Sequence, residues 1–124
     1  MLVLIIDDTD SAREVAERIL RFDGVEAVGA SSGSQALSVL EDRSPDLILL
    51  DVAMPDMDGL TFLEQLRQDA RWRNIPVVMM TAMADEESVR RAFRLGACEY
   101  LVKAEFTLPR MLEVVRRHAR HATS

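Results

Sequence analysis

Five short apolar runs punctuate the chain: Leu2 to Ile6, Val25 to Ala30, Leu47 to Leu50, Val77 to Met80 and Tyr100 to Val102. They are continuous rather than alternating, as expected of parallel strands covered on both faces. Between them the apolar positions recur at helical spacing. Ala12, Val15, Ala16, Ile19 and Leu20 mark one stripe; Ala36, Leu37 and Leu40 a second; Leu60, Leu63 and Leu66 a third. Val89, Ala92 and Phe93 mark a fourth, and Leu108, Met111, Leu112, Val115 and Ala119 a fifth. Each stripe predicts an amphipathic helix with one face against a core.

The punctuation between these segments agrees with that division. Gly24 and Gly96 fall just past helices, where a left-handed residue is wanted. Asp85 and Thr107 stand at N-cap positions, and Pro109 falls in a first turn, where its missing N–H costs little. The pattern is (βα)₅ with short connections. Right-handed crossovers then place helices on both faces of one parallel sheet, an α/β doubly wound architecture. No repeat, linker or low-complexity segment interrupts it, so residues 1–124 are expected to form a single domain. Arg116 to Ser124 reads as a fraying, solvated basic helix end.

Composition narrows the function classes. Of 124 residues, 48% are hydrophobic, enough for a core, and 29% are charged, enough to solvate a surface. The net charge of −6 disfavours a direct nucleic-acid binder, which needs a basic face to replace phosphate counterions. The single cysteine, Cys98, permits no internal disulfide and suits a reduced, cytoplasmic setting, with Cys98 itself a packing residue. No stretch approaches the length of a membrane span, and the opening apolar run is too short for a signal peptide. A soluble protein is expected. The methionines, including Met79, Met80 and Met83, read as core and loop packing.

The chemistry gathers where strands end. The first runs into Asp7 and Asp8, the third into Asp51, the fourth into Thr81 and the fifth into Lys103. In a parallel sheet these ends share one edge, and open α/β sheets bind ligands there, where the strand order reverses. Three carboxylates brought together repel one another, and a hard divalent cation removes that conflict. Mg²⁺ suits such a group, since it binds through one or two carboxylates and accepts phosphate oxygens as further ligands. Lys103 adds a mobile positive charge and Thr81 a hydroxyl donor. A carboxylate can also be the nucleophile in phosphoryl transfer, a reaction that depends mainly on positioning and charge neutralisation. Taken singly, each residue has a plain reading: a helix cap for the Asp pair, a loop acid for Asp51, a strand end for Thr81, a solvated charge for Lys103. Their joint occurrence at four matching strand ends favours a site.

These residues resemble the receiver domain of two-component response regulators, of the single-domain, chemotaxis-regulator-like kind. The resemblance covers essentially the whole chain. It rests on Ile5-Ile6-Asp7-Asp8, on Leu49-Leu50-Asp51-Val52-Ala53-Met54-Pro55-Asp56-Met57-Asp58-Gly59, on Val78-Met79-Met80-Thr81-Ala82 and on Tyr100-Leu101-Val102-Lys103. It implies a flavodoxin-like sheet of order 2-1-3-4-5, with the first and fifth helices on one face and the other three opposite. It also implies that Asp51 accepts a phosphoryl group. Asp8 would ligate Mg²⁺ directly, with Asp7 helping and with Asp51 and the Ala53 carbonyl completing the set; Mn²⁺ could substitute. Thr81 and Lys103 would hold phosphoryl oxygens, small Ala82 would leave them room, and Tyr100 would rotate toward the space Thr81 vacates. The surface of the fourth helix, fifth strand and fifth helix would change as a result.

The resemblance further implies a histidine kinase or histidine phosphotransfer protein as donor, a downstream protein as target, and a monomer or weak dimer that regulates rather than acts as an enzyme. The first helix is the expected donor surface. Two departures carry expectations of their own. The family usually has a cis proline after the lysine, whereas Ala104 stands here. A cis bond without proline costs roughly 2.5–4 kcal/mol, so the following loop is expected to be strained or rearranged. Ala53 and Met83 flank the path of attacking water in this family, and neither can orient water strongly, which implies slow self-dephosphorylation. Two other function classes stay open. Asp8-Thr9-Asp10 has the Asp-x-Asp spacing of haloacid-dehalogenase-like phosphatases, though the chain is short for that fold. A docking module independent of phosphorylation would leave the acidic residues without a role.

Overall fold

The computed structural model describes residues 1–54, 56–82, 85–103, 105 and 107–119. The apolar runs form β1 (Leu2–Ile6), β2 (Glu26–Ala30), β3 (Leu47–Asp51), β4 (Val77–Thr81) and β5 (Glu99–Val102). The periodic segments form α1 (Asp10–Phe22), α2 (Gly33–Asp42), α3 (Gly59–Gln68), α4 (Glu86–Arg94) and α5 (Leu108–His118). All strand pairs are parallel, in the order β2-β1-β3-β4-β5. This is the flavodoxin-like arrangement expected from the sequence.

Because successive strand side chains point to opposite faces, the same strands feed two cores. Leu4, Ile6, Ile48, Leu50, Val77 and Met79 pack with α2, α3 and α4. Val3, Ile5, Leu47, Leu49, Val78 and Met80 pack with α1 and α5. The three inner strands are buried along their whole length, which explains their unbroken apolar runs.

Local signals fix the helix ends. Ser32, Asp58, Asp85 and Thr107 each accept a hydrogen bond from the backbone N–H three residues on, satisfying a first-turn donor. Gly24 and Gly96 have φ of +81° and +85°, the left-handed geometry their positions require. Arg67 of α3 reaches across to the C-terminal end of α4. Its guanidinium donates to the carbonyls of Leu95 and Gly96, and to those of Arg73 and Ile75 ahead of β4.

The structure corrects several expectations. Val15, Phe93 and Leu108, read as core-facing, are about half exposed (49%, 47% and 50%). On α1 the inward positions are Ala16 and Leu20, and the stripe is wider than the contact it makes. On α4 only Ala92 is fully buried, because that helix covers the sheet's short edge strand. The end of α5 does not fray at Arg116: Val115 and Ala119 are buried, and Arg116 pairs with Asp23 after α1. Arg120–Ser124, Met83 and Ala104 lie outside the described residues, and with them the expectation about the Lys103–Ala104 bond. No helix among the described residues is long and apolar enough to cross a membrane.

Candidate functional site

Strand register decides what meets at the sheet's carboxyl edge. Ile6 is level with Ala30 and Leu50, Asp51 with Met80, and Thr81 with Val102. Asp7, Asp51, Thr81 and Lys103 therefore end adjacent strands in nearly one row. Backbone hydrogen bonds prolong the ladders to hold them there. Asp7 N–H donates to the Ala30 carbonyl (3.1 Å), Val52 N–H to Met80 (2.9 Å) and Lys103 N–H to Thr81 (2.7 Å).

Within this row the side chains form one cluster. Lys103 Nζ donates to Asp7 Oδ2 at 2.7 Å and to Asp51 Oδ2 at 3.3 Å. Asp7 Oδ1 accepts the Thr9 N–H at 2.9 Å, closing a local turn ahead of α1. The N-cap residue of α1 is Thr9, and its own side chain makes no capping bond. Asp7 and Asp51 are almost fully buried, at 2% and 5% exposure, while Asp8 faces solvent. Oxygen atoms of Asp7, Asp8 and Asp51 lie within 4.8 Å of one another.

The electrostatics follow from this crowding. Burial pushes the Asp51 carboxyl up from 3.8 to about 6; Lys103 opposes the shift, and the charge of Asp7 adds to it. For Lys103, burial alone would lower the pKa. The hydrogen bond it donates to Asp7 and the charges of both acids outweigh burial, so the amine is held above its ordinary value. At neutral pH the cluster thus holds negative charge in a pocket that one lysine only partly compensates. Hard oxygen donors, two buried and one open to solvent, match what Mg²⁺ requires: a few carboxylates and room for waters or phosphate oxygens.

The remaining expected residues surround this cluster. Thr81 is buried at the end of β4, and Ala82 and Ala53 are exposed. The Ala53 N–H lies 3.4 Å from Asp51 Oδ1. Tyr100 is half-buried, with its hydroxyl fully covered beside Thr81. Burial raises its pKa, and the nearby Asp85 charge raises it further.

Two residues gain a meaning that sequence reasoning missed. A Cβ on Gly59 would lie 2.1 Å from the Asp51 carbonyl oxygen, so the start of α3 closes directly against the strand end. The Asp51–Gly59 segment gave no sign of this, since eight residues separate the two. Asp56, an unremarked loop acid, reaches the N-terminus of α2, more than twenty residues earlier.

Comparison with known proteins places the chain in a family. A family model described as the response regulator receiver domain matches residues 3–116. The regulatory protein AtoC of Escherichia coli is 36% identical over 115 residues, covering 93% of this chain and 24% of AtoC. The chain thus spans about a quarter of that relative's length. The polar-differentiation response regulator DivK of Brucella ovis is 31% identical over 119 residues, covering 94% of each chain. Among solved structures, the Vibrio cholerae chemotaxis protein CheY4 superposes with a TM-score of 0.88 at 30% identity, covering 94% of this chain and 97% of that one. With a family match that runs from β1 into α5 and a fold shared with solved receiver structures, this chain belongs to the receiver domain family of two-component response regulators.

Proposed function

We propose that residues 1–124 act as one phosphoacceptor unit in a cytoplasmic two-component pathway or phosphorelay, with Asp51 as the residue that is modified. The observation that carries this reading is the joint placement of Asp51: nearly buried, level with two other acids, and hydrogen-bonded to Lys103. A pKa of about 6 keeps it ionised, and so nucleophilic, at neutral pH. One carboxylate oxygen forms the bond to phosphorus as the P–N bond of a donor phosphohistidine breaks, and the imidazole leaves with its electron pair. Asp7, Asp8, Asp51 and the Ala53 carbonyl would hold Mg²⁺, or Mn²⁺ in its place. The cation supplies neutralisation of the charge on the transferring group. Lys103 remains cationic and binds a phosphoryl oxygen, and Thr81 donates its hydroxyl to another beside small Ala82.

The donor is a histidine kinase or histidine phosphotransfer protein. An apolar groove between α1 and α5, lined by Val15, Ile19, Leu108 and Met111, opens at Asp7 and Lys103 and suits a histidine-bearing helix. The output is a protein contact. Tyr100 supplies the switch, because its covered hydroxyl sits beside Thr81 and responds to any movement of that residue. That response biases the surface of α4, β5 and α5. The chain regulates rather than turning over a substrate.

The test is mass spectrometry after incubation with a small acyl phosphate and Mg²⁺. The expected result is one added phosphoryl group on Asp51, absent in Asp51→Asn and absent without divalent cation. Unchanged incorporation in Asp51→Asn would sink the assignment. Lifetime provides a separate check. Exposed Ala53 cannot orient water, so Ala53→Asn should shorten the phosphorylated state by about tenfold, the effect of one added hydrogen bond. Phosphate release followed over time reads this directly, and a faster wild type would contradict it.

A further inference from the structure

The loop between β3 and α3 carries Ala53, and its described residues are 52–54 and 56–58. Its ends are fixed: Val52 N–H donates to Met80, and Gly59 N–H returns to the Val52 carbonyl at 2.6 Å. Between them, among the described residues, the Ala53 N–H lies 3.4 Å from Asp51 Oδ1, and Asp56 fastens the loop to α2. Asp56 Oδ1 accepts the Gly33 N–H at 3.2 Å, and Oδ2 accepts both the N–H and the hydroxyl of Ser34 at 3.1 Å. These are the first two residues of α2, whose N–H groups have no partner inside the helix. The positive end of the helix dipole strengthens the same contact.

Packing reinforces the junction. A Cβ at Gly33 would sit 3.6 Å from Asp56 Oδ2 and 3.7 Å from Met57 Cβ, so the loop lies directly on the start of α2. Met54 and Met57 pack against the core beside it. The hydrogen bonds from Ser34 and Gly33 also hold the Asp56 carboxyl below the usual carboxylate range, so it is ionised and accepting throughout the neutral region.

We propose that Asp56 is a positioning residue for the metal site: it braces the loop against α2 and thereby holds the Ala53 carbonyl toward the acid cluster. This role rests on the reading of Asp7, Asp8, Asp51 and Ala53 as Mg²⁺ ligands. Asp56 touches neither cation nor phosphoryl group and acts through the loop. Ser34 contributes two of the three donors, but its hydroxyl is the dispensable one, because both backbone N–H groups remain in its absence.

Titration calorimetry with Mg²⁺ alone on the full chain tests the assignment. Asp56→Ala should weaken binding about tenfold, Asp56→Asn by a smaller factor, and Ser34→Ala hardly at all. Circular dichroism establishes that each variant is folded, with Asp56→Asn as the milder change should Asp56→Ala fail to fold. Loss of a distant negative charge would also weaken cation binding, but that effect is screened at 0.5 M salt, where the Debye length is about 4 Å. The bracing effect should persist there. Wild-type affinity in both Asp56 variants, or a loss that vanishes in salt, would overturn the role while leaving the metal site intact. Absence of Mg²⁺ binding by the wild type, with no change in Asp8→Asn, would remove the metal site and this role together.

Discussion

Asp51→Asn is expected to stabilise the metal-free protein at neutral pH by about 2–3 kcal/mol, although it removes the residue on which the proposed function turns. The reason is burial. The Asp51 carboxyl is pushed up from 3.8 to about 6 in the folded chain. Between those values the folded state binds more protons than the unfolded one, so stability falls as pH rises through the interval and stays reduced above it. Asparagine has nearly the same shape and cannot ionise. The variant and wild type should therefore have equal stability well below the unfolded value of 3.8 and diverge by neutral pH, in urea unfolding with a chelator present. Adding Mg²⁺ should narrow the gap, since a ligand that binds only the folded wild type stabilises it by mass action. A variant less stable than wild type at pH 7, or a gap independent of pH, would show that Asp51 carries no such stored repulsion.

Gly59→Ala should be the most damaging single-methyl change in the chain. The added carbon would meet the Asp51 carbonyl oxygen at 2.1 Å and the Val52 Cα at 3.0 Å. Both obstacles are backbone, so no side-chain rotation relieves the clash, and the strand end or the start of α3 must move. Overpacking of this kind costs about 3 kcal/mol. The displacement falls on the residue carrying the proposed nucleophile, so phosphoryl incorporation should drop along with the urea midpoint. A variant with wild-type stability would mean that the approach of α3 to β3 is softer than the geometry implies. Alanine at Gly24, where no heavy atom lies within 4 Å of the added carbon, isolates the backbone penalty of positive φ from this steric one.

The parts of this molecule legible in its sequence are those set by local rules or by the parallel sheet itself. Continuous apolar runs gave the strands to within a residue because both faces of β1, β3 and β4 are covered. Asp7, Asp51, Thr81 and Lys103 could be grouped in advance because parallel strands bring their ends to one edge whatever their separation along the chain. Caps at Asp85 and Thr107 were legible because each satisfies a donor three residues away. What escaped depended on distances between elements. The exposure of Val15 and Phe93 follows from how far each helix leans over the sheet, which periodicity does not encode. The Arg116–Asp23 pair, the Asp56 brace and the contact of Gly59 with Asp51 join positions that no local pattern relates.

The fastening of Arg67 to the far end of α4 sets what kinds of motion that helix can make. Sliding along its axis would strip the Leu95 and Gly96 carbonyls of a charged donor at once, with about 1–3 kcal/mol at stake for each group left unpaired. The opposite end, capped by Asp85, has no comparable anchor among the described residues beyond the Ser88 N–H. A rod pinned at one tip responds to a push at the other by swinging, so a displacement of a fraction of an ångström near Thr81 would be delivered as a change of tilt. A target able to sense that orientation would need to straddle the loose tip, not the hinge.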